Sequence, residues 1–269
     1  MNPMLNIAIR AARKAGNIII KGYEQSPKDT EVAQKGTNDY VTAIDKAAEQ
    51  AVIDTIRQSY PEHTIVGEES GLIAGNESNV QWVIDPLDGT TNFMKRFPHF
   101  CVSIAVRENG ITTVGVVYDP IRNELFTGVR GEGAKLNEFR LRVDNKRDLN
   151  GTVLATGFPF KAPKHRSAHL NMIEGLMNNG VADFRRSGSA ALDLCYVAAN
   201  RVDGYFEIGL KPWDCAAGDL IAREAGALVT NFVGGTDYLT SGNVIAGNAR
   251  IVKETLNSIK PVLTDDLKK

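Results

Sequence analysis

The chain has 269 residues, with 31 basic against 32 acidic side chains for a net charge of −1. Hydrophobic and charged contents of 43% and 23% are those of an ordinary folded protein and exclude disordered, collagen-like and disulfide-scaffold classes. The near-neutral balance gives no bulk field for nucleic acid or anionic membrane, and Cys101, Cys195 and Cys215, which include no C-x-x-C pair, read as buried reduced thiols.

In chain order, Leu5, Ile7, Ala8, Ala11, Ala12, Ala15, Ile18 and Ile19 recur at helical spacing and predict an amphipathic first helix. Arg10, Arg13 and Lys14 interrupt it too early for a signal peptide. No apolar run reaches the roughly 18 residues of a membrane span, so a soluble, cytoplasmic protein is expected. A second helix is expected to begin at an N-cap on Thr42, to carry Ile44, Ala47, Ala48, Ala51, Val52 and Ile56 on one face, and to stop before Pro61.

Strands are predicted over Thr64–Val66, Val80–Ile84, Phe100–Arg107, Thr112–Tyr118 and Glu124–Val129. Hairpin-length links such as Glu108-Asn109-Gly110 make much of this sheet antiparallel. The second half alternates: strand Thr152–Thr156, helix Arg166–Met177, strand Asp183–Arg186, helix Ser189–Ala199, strand Gly204–Ile208 and helix Trp213–Ala225. Strands Leu228–Asn231 and Val244–Ala246 and a terminal helix Ala249–Ile259 follow. This rhythm predicts layered α/β packing, in a single domain over 1–269 whose two lobes meet near 143–151.

Chemistry concentrates in Trp82–Phe93, W-V-I-D-P-L-D-G-T-T-N-F. Asp85 is expected at the end of a buried strand with Asp88 one turn later. Two such carboxylates repel unless a cation sits between them. Gly67-Glu68-Glu69-Ser70 and Trp213-Asp214 set further acids at the ends of apolar elements, so Glu68, Asp85, Asp88 and Asp214 are candidate ligands for a hard divalent ion. Gly89-Thr90-Thr91 adds an unobstructed turn and two hydroxyls suited to phosphate, although a polar capped turn reads the same way. An aspartyl-phosphate mechanism of the D-x-D-G-T type is disfavoured because the acids here are three apart, which leaves metal-activated water as the nucleophile.

Together with E-I-G-L-K-P-W-D-C-A-A-G-D-L-I-A-R-E-A-G and the upstream G-E-E-S, this stretch resembles the signature motifs of the inositol monophosphatase family, in order and over nearly the whole chain. The resemblance implies an αβαβα sandwich with largely antiparallel and mixed sheets. It also implies a Mg2+-dependent, lithium-sensitive phosphatase, generally a homodimer, with myo-inositol 1-phosphate as substrate. By position, Glu68, Asp85 and the Leu87 carbonyl would hold one magnesium, and Asp85, Asp88 and Asp214 a second. Glu68 and Thr90 would orient the attacking water, and Gly89, Thr90 and Thr91 would cradle the phosphate.

Gly188, Ser189, Ala190 and Glu207 match the segments that meet the inositol hydroxyls, and Asp45 and Lys35 match outer positions near the metals. Plain alternatives are a helix cap for Ser189 and an exposed strand residue for Glu207. Arg185-Arg186 fits phosphate binding or a subunit contact. The rival enzyme is a sugar bisphosphatase or nucleotide 3′-phosphatase of the same superfamily. The rival class is a binding role: bacterial members similar to this chain are associated with transcription antitermination on ribosomal RNA operons, through Nus factors and RNA polymerase. Elsewhere, Gly128–Gly133 reads as a hairpin turn, His165 and His169 as a solvated helix face, and Trp213 as a core residue that fixes Asp214.

Overall fold

Small residues at helical spacing let the first helix lie close on a sheet. Helix α1 (Pro3–Glu24) buries Ala8, Ala11, Ala12, Ala15 and Ile19, as the periodicity predicts. The structure, a computed structural model, describes residues 2–24, 32–34 and 40–268. Strands β1 (Val32–Gln34) and β2 (Tyr40–Thr42) form a small antiparallel pair, and α2 (Ala43–Arg57) follows directly. The side chain of Thr42, the expected cap, lies outside the described residues, as does all of Lys35.

The first large sheet takes β3 (His63–Gly67), β4 (Gly71–Ile73) and β5 (Glu77–Asp88). After the short α3 (Thr90–Met94) it continues with β6 (Cys101–Glu108), β7 (Ile111–Asp119), β8 (Glu124–Val129), β9 (Gly133–Leu136) and β10 (Phe139–Arg140). Its order is β10-β9-β8-β7-β6-β5-β3-β4, antiparallel except between β3 and β5. The glycine-rich 128–133 stretch is the β8–β9 hairpin, as expected.

The second sheet holds β11 (Val153–Thr156), β12 (Asp183–Arg185), β13 (Gly204–Glu207), β14 (Leu228–Thr230) and β15 (Val244–Gly247), ordered β12-β11-β13-β15-β14 with mixed pairing. Its helices are α4 (Arg166–Asn178), α5 (Ala190–Ala198), α6 (Pro212–Glu224), α7 (Tyr238–Ser241) and α8 (Ala249–Ile259).

Four packed clusters stack these elements into αβαβα layers. α1 and α2 cover one face of the large sheet through Ile19, Val52, Trp82, Ile104 and Val116. Its other face meets α5 and α6 at Val83, Ala105, Phe126, Cys195 and Ile221. Those two helices turn Leu194 and Ala222 to the second sheet at Tyr205 and Ala246. α4 and α8 close the far side with Met172, Phe206, Ile245 and Ile251. All three cysteines are free and buried.

Two expectations change. Strand β5 runs through Asp88 instead of stopping at Ile84. His165 and His169 form no solvated face: His165 is buried just ahead of α4, and His169 is fully buried between Phe158 and Phe206, with ring centroids 5.3 and 5.4 Å away. The polar residues around it in α4 conceal that it shares the buried face of Ala168, Met172 and Leu176.

Candidate active site

Asp85 and Asp88 both belong to β5, and an irregularity in its ladder brings them together. Asp85 lies opposite Ser103 and Asp88 opposite Cys101, with a register shift between. Pro86 has no N–H to give a ladder, so it fits where pairing breaks. The Leu87 N–H donates to Asp85 Oδ1 at 3.0 Å and closes the turn locally. Neither acid therefore hangs past a strand end; a central strand holds both.

Neighbouring elements deliver the remaining acids. Glu68 follows β3, and its N–H donates to the Ile84 carbonyl at 3.1 Å, beside Asp85 in the chain. Asp214 stands in the first turn of α6, where its Oδ2 accepts the Lys211 N–H at 2.6 Å. Asp45, 2% exposed, comes from the buried face of α2. Thr90 Oγ1 lies 3.1 Å from the Leu87 carbonyl and 3.3 Å from Asp45 Oδ2, and its one proton serves either. Asp88 Oδ2 accepts Ser189 Oγ at 2.6 Å and the Ala191 N–H at 2.8 Å, so the N-terminus of α5 holds it.

Gly89 links acids to threonines at φ 99°, and a Cβ there would stand 3.0 Å from the His99 carbonyl oxygen. Glycine is the residue that fits both the dihedral and the space.

Burial drives the Asp85 carboxyl well above its ordinary range, and Glu68, Asp88, Asp214 and Asp45 all push it the same way. Asp88 is raised to about 7, chiefly by burial and against its bonds from Ser189 and Ala191. Asp214 reaches about 7 through burial and then Asp88, opposed by the Lys211 N–H and the charges of Lys161 and Lys211. A cation among acids so arranged would favour their ionised forms.

Among the described residues no three His, Cys, Asp or Glu side chains are grouped closely enough to hold a metal ion by themselves. The donor set instead fits an open oxygen site: Mg2+ keeps several waters and takes one or two carboxylates beside substrate phosphate. The crowding on buried Asp85 is the feature of this chain that such an ion would relieve.

On the α5 and β13 side, Gly188 adopts φ 93° ahead of the Ser189 cap and Ala190. Glu207 Oε2 accepts the Tyr205 hydroxyl at 2.7 Å. Burial raises Glu207 to about 7, with Asp214 adding to the shift and Arg186 opposing it. Arg185 is exposed and committed to Asp183 at 2.5 Å, so of the two arginines it is Arg186 whose charge reaches Glu207. Thr91 is exposed at the start of α3, and Trp213 packs partly buried against the α5–α6 cluster.

Two residues escaped sequence reasoning. Glu49, buried on α2, accepts the Glu69 N–H at 3.1 Å, and Gly67 leaves room for it. Two acids, Asp45 and Glu49, four apart on an otherwise apolar helix face were the available signal. Asn92 donates to the His99 and Ser187 carbonyls at 2.7 and 2.8 Å, tying α3 to the loop before α5.

The model of the inositol monophosphatase family matches residues 1–261. The chain belongs to this family. A relative from Pasteurella multocida (strain Pm70), named Nus factor SuhB, is 67% identical over 269 residues, the whole of both chains. The crystal structure of extragenic suppressor protein suhB from Bartonella henselae superposes with a TM-score of 0.93 at 40% identity, covering 96% of this chain and 99% of that one. A staphylococcal inositol monophosphatase II with inositol monophosphate bound gives 0.80 at 27% identity, over 96% and 94%. The family match spans every element that contributes an acid to the site, from α2 to α6.

Proposed function

We propose that this family member hydrolyses a small phosphate monoester with Mg2+, and that myo-inositol 1-phosphate is the substrate. The observation that carries the reading is the crowding of Glu68, Asp88, Asp214 and Asp45 on buried Asp85, next to the turn opened by Gly89. Glu68, Asp85, the Leu87 carbonyl, Asp88 and Asp214 would hold the ions. Bound Mg2+ neutralises charge on the phosphoryl and leaving oxygens and lowers the pKa of water.

The chain's own groups do the rest. Thr90, held by Leu87 or Asp45, and Glu68 orient the attacking water. Gly89, Thr90 and Thr91 let backbone and hydroxyls approach the phosphoryl oxygens. Gly188, Ser189 and Ala190 shape the alcohol side, where Glu207 accepts hydroxyl hydrogens and Arg186 balances its charge. The staphylococcal relative with inositol monophosphate bound supports the polyol; a sugar bisphosphatase or nucleotide 3′-phosphatase is the alternative.

A panel of phosphate monoesters assayed with Mg2+ and with chelator tests class and substrate together. Hydrolysis of the inositol ester should stop with chelator, and Glu68→Gln should lower turnover by about 100-fold to 10,000-fold. No hydrolysis of any member, or near-normal turnover in that variant, would sink the reading.

We infer a second role, in transcription antitermination with Nus factors and RNA polymerase, supported by the whole-length relative named as a Nus factor. A homodimer belongs to the same reading: the exposed rings of Phe158 and Phe160, with Arg186 over the latter at 5.2 Å, offer a surface that a second copy would cover.

A further inference from the structure

The loop from Glu207 to Asp214 also lines a cavity of about 440 Å³, whose walls include Arg107, Gly209, Leu210, Lys211, Thr240 and Ser241 and none of the acids of the site. The walls are fixed: Leu210 N–H donates to the Gly242 carbonyl at 2.9 Å, and a Cβ on Gly242 would stand 2.4 Å from the Leu210 carbonyl oxygen. No acidic side chain lines the cavity, while two cations do. Arg107 Nη2 donates to the Gly110 carbonyl at 2.6 Å, and its enclosed Nε has no hydrogen-bond partner. Neither Arg107 nor Lys211 forms an ion pair with a described residue.

We propose that this cavity is a second binding site, separate from the acid cluster, for the phosphate group of a small molecule. An arginine and a lysine beside two hydroxyls are phosphate-recognition chemistry. The volume falls in the range of about 300–1,000 Å³ typical of small-molecule sites. The site is coupled to the acids through Lys211, whose N–H is bonded to Asp214 and whose charge acts on it. An occupant that draws Lys211 toward the cavity therefore changes how Asp214 is held. That consequence rests on the hydrolytic reading; the binding itself does not.

The test is calorimetric titration of the full chain with inorganic phosphate and with glycerol 2-phosphate in excess chelator, where the metal-free acids repel anions. One anion per chain is expected, weakened about tenfold or more by Arg107→Gln and by Lys211→Gln, and unchanged by Asp88→Asn. Tighter glycerol 2-phosphate assigns an organic ester, and tighter inorganic phosphate assigns the free ion. Absence of binding, binding retained in both cation variants, or binding lost in Asp88→Asn overturns the site. Lys211 is exposed, so its variant remains decisive if Arg107→Gln unfolds. Turnover is not read, so failure here leaves the hydrolytic assignment standing, and the converse holds.

Discussion

A methyl group on Gly89 would meet the His99 carbonyl oxygen at 3.0 Å and Phe100 Cβ at 3.2 Å, on a backbone at φ 99°. Gly89→Ala should therefore cost about 1–3 kcal/mol of stability. It should also displace Thr90 and Thr91 and lower turnover by about tenfold, since errors of an ångström in a site cost that much or more. Urea unfolding together with the phosphatase assay checks both; unchanged stability and turnover would remove the constraint assigned to this glycine. The acids themselves were readable in sequence because each sits beside an apolar run: Glu68 after β3, Asp85 after Trp82-Val83-Ile84, Asp214 after Trp213. Only the family resemblance points to Asp45, and no motif marks Glu49, because the apolar stripe of helix α2 dominates its pattern while its buried face also carries these two acids.

Among the elements, α4 carries a polar residue with no polar role in its surroundings. His169 is fully buried, neither ring nitrogen has a hydrogen-bond partner, and burial lowers its pKa to about 4. A histidine depressed in the folded state stabilises fully above its unfolded value near 6.5, and that contribution is lost as pH falls toward about 4. His169→Leu should thus lose less stability than the parent between pH 7.5 and 5. At pH 7.5 it should stay within about 1–3 kcal/mol of the parent, as removal of unsatisfied nitrogens offsets lost ring contacts. Thermal unfolding at the two pH values decides it: equal acid losses in both proteins would refute the role, with His99, also lowered to about 4, common to both. Sequence missed this burial because Phe158 reaches the ring from a loop and Phe206 from the second sheet. It shortened β5 for a different reason: proline reads as a terminator, whereas here it occupies the break in a strand that continues to Asp88.

For the whole molecule, the layers are held by apolar clusters that do not depend on the acids being charged, so catalysis and surface are separable by one substitution. Asn at position 88 keeps an oxygen to accept from Ser189 Oγ and the Ala191 N–H. It also removes a carboxyl whose pKa is raised to about 7. A raised acid contributes its stability below the unfolded value near 3.8 and loses it as pH climbs through about 7. Asp88→Asn in chelator should therefore match the parent near pH 4 and exceed it at pH 8, with each kcal/mol worth about 2–4 °C in Tm. A folded variant that lacks turnover then separates the two proposed roles in a strain deleted for its own copy of the gene. Rescue by Asp88→Asn would assign the cellular phenotype to binding of Nus factors and RNA polymerase, because the altered carboxyl is held against α5 and its replacement leaves the outer surface in place. Failure to rescue, with the variant folded and expressed, would assign the phenotype to hydrolysis. A variant less stable than the parent at pH 8 in chelator would instead show that Asp88 does not carry the cost that its burial implies.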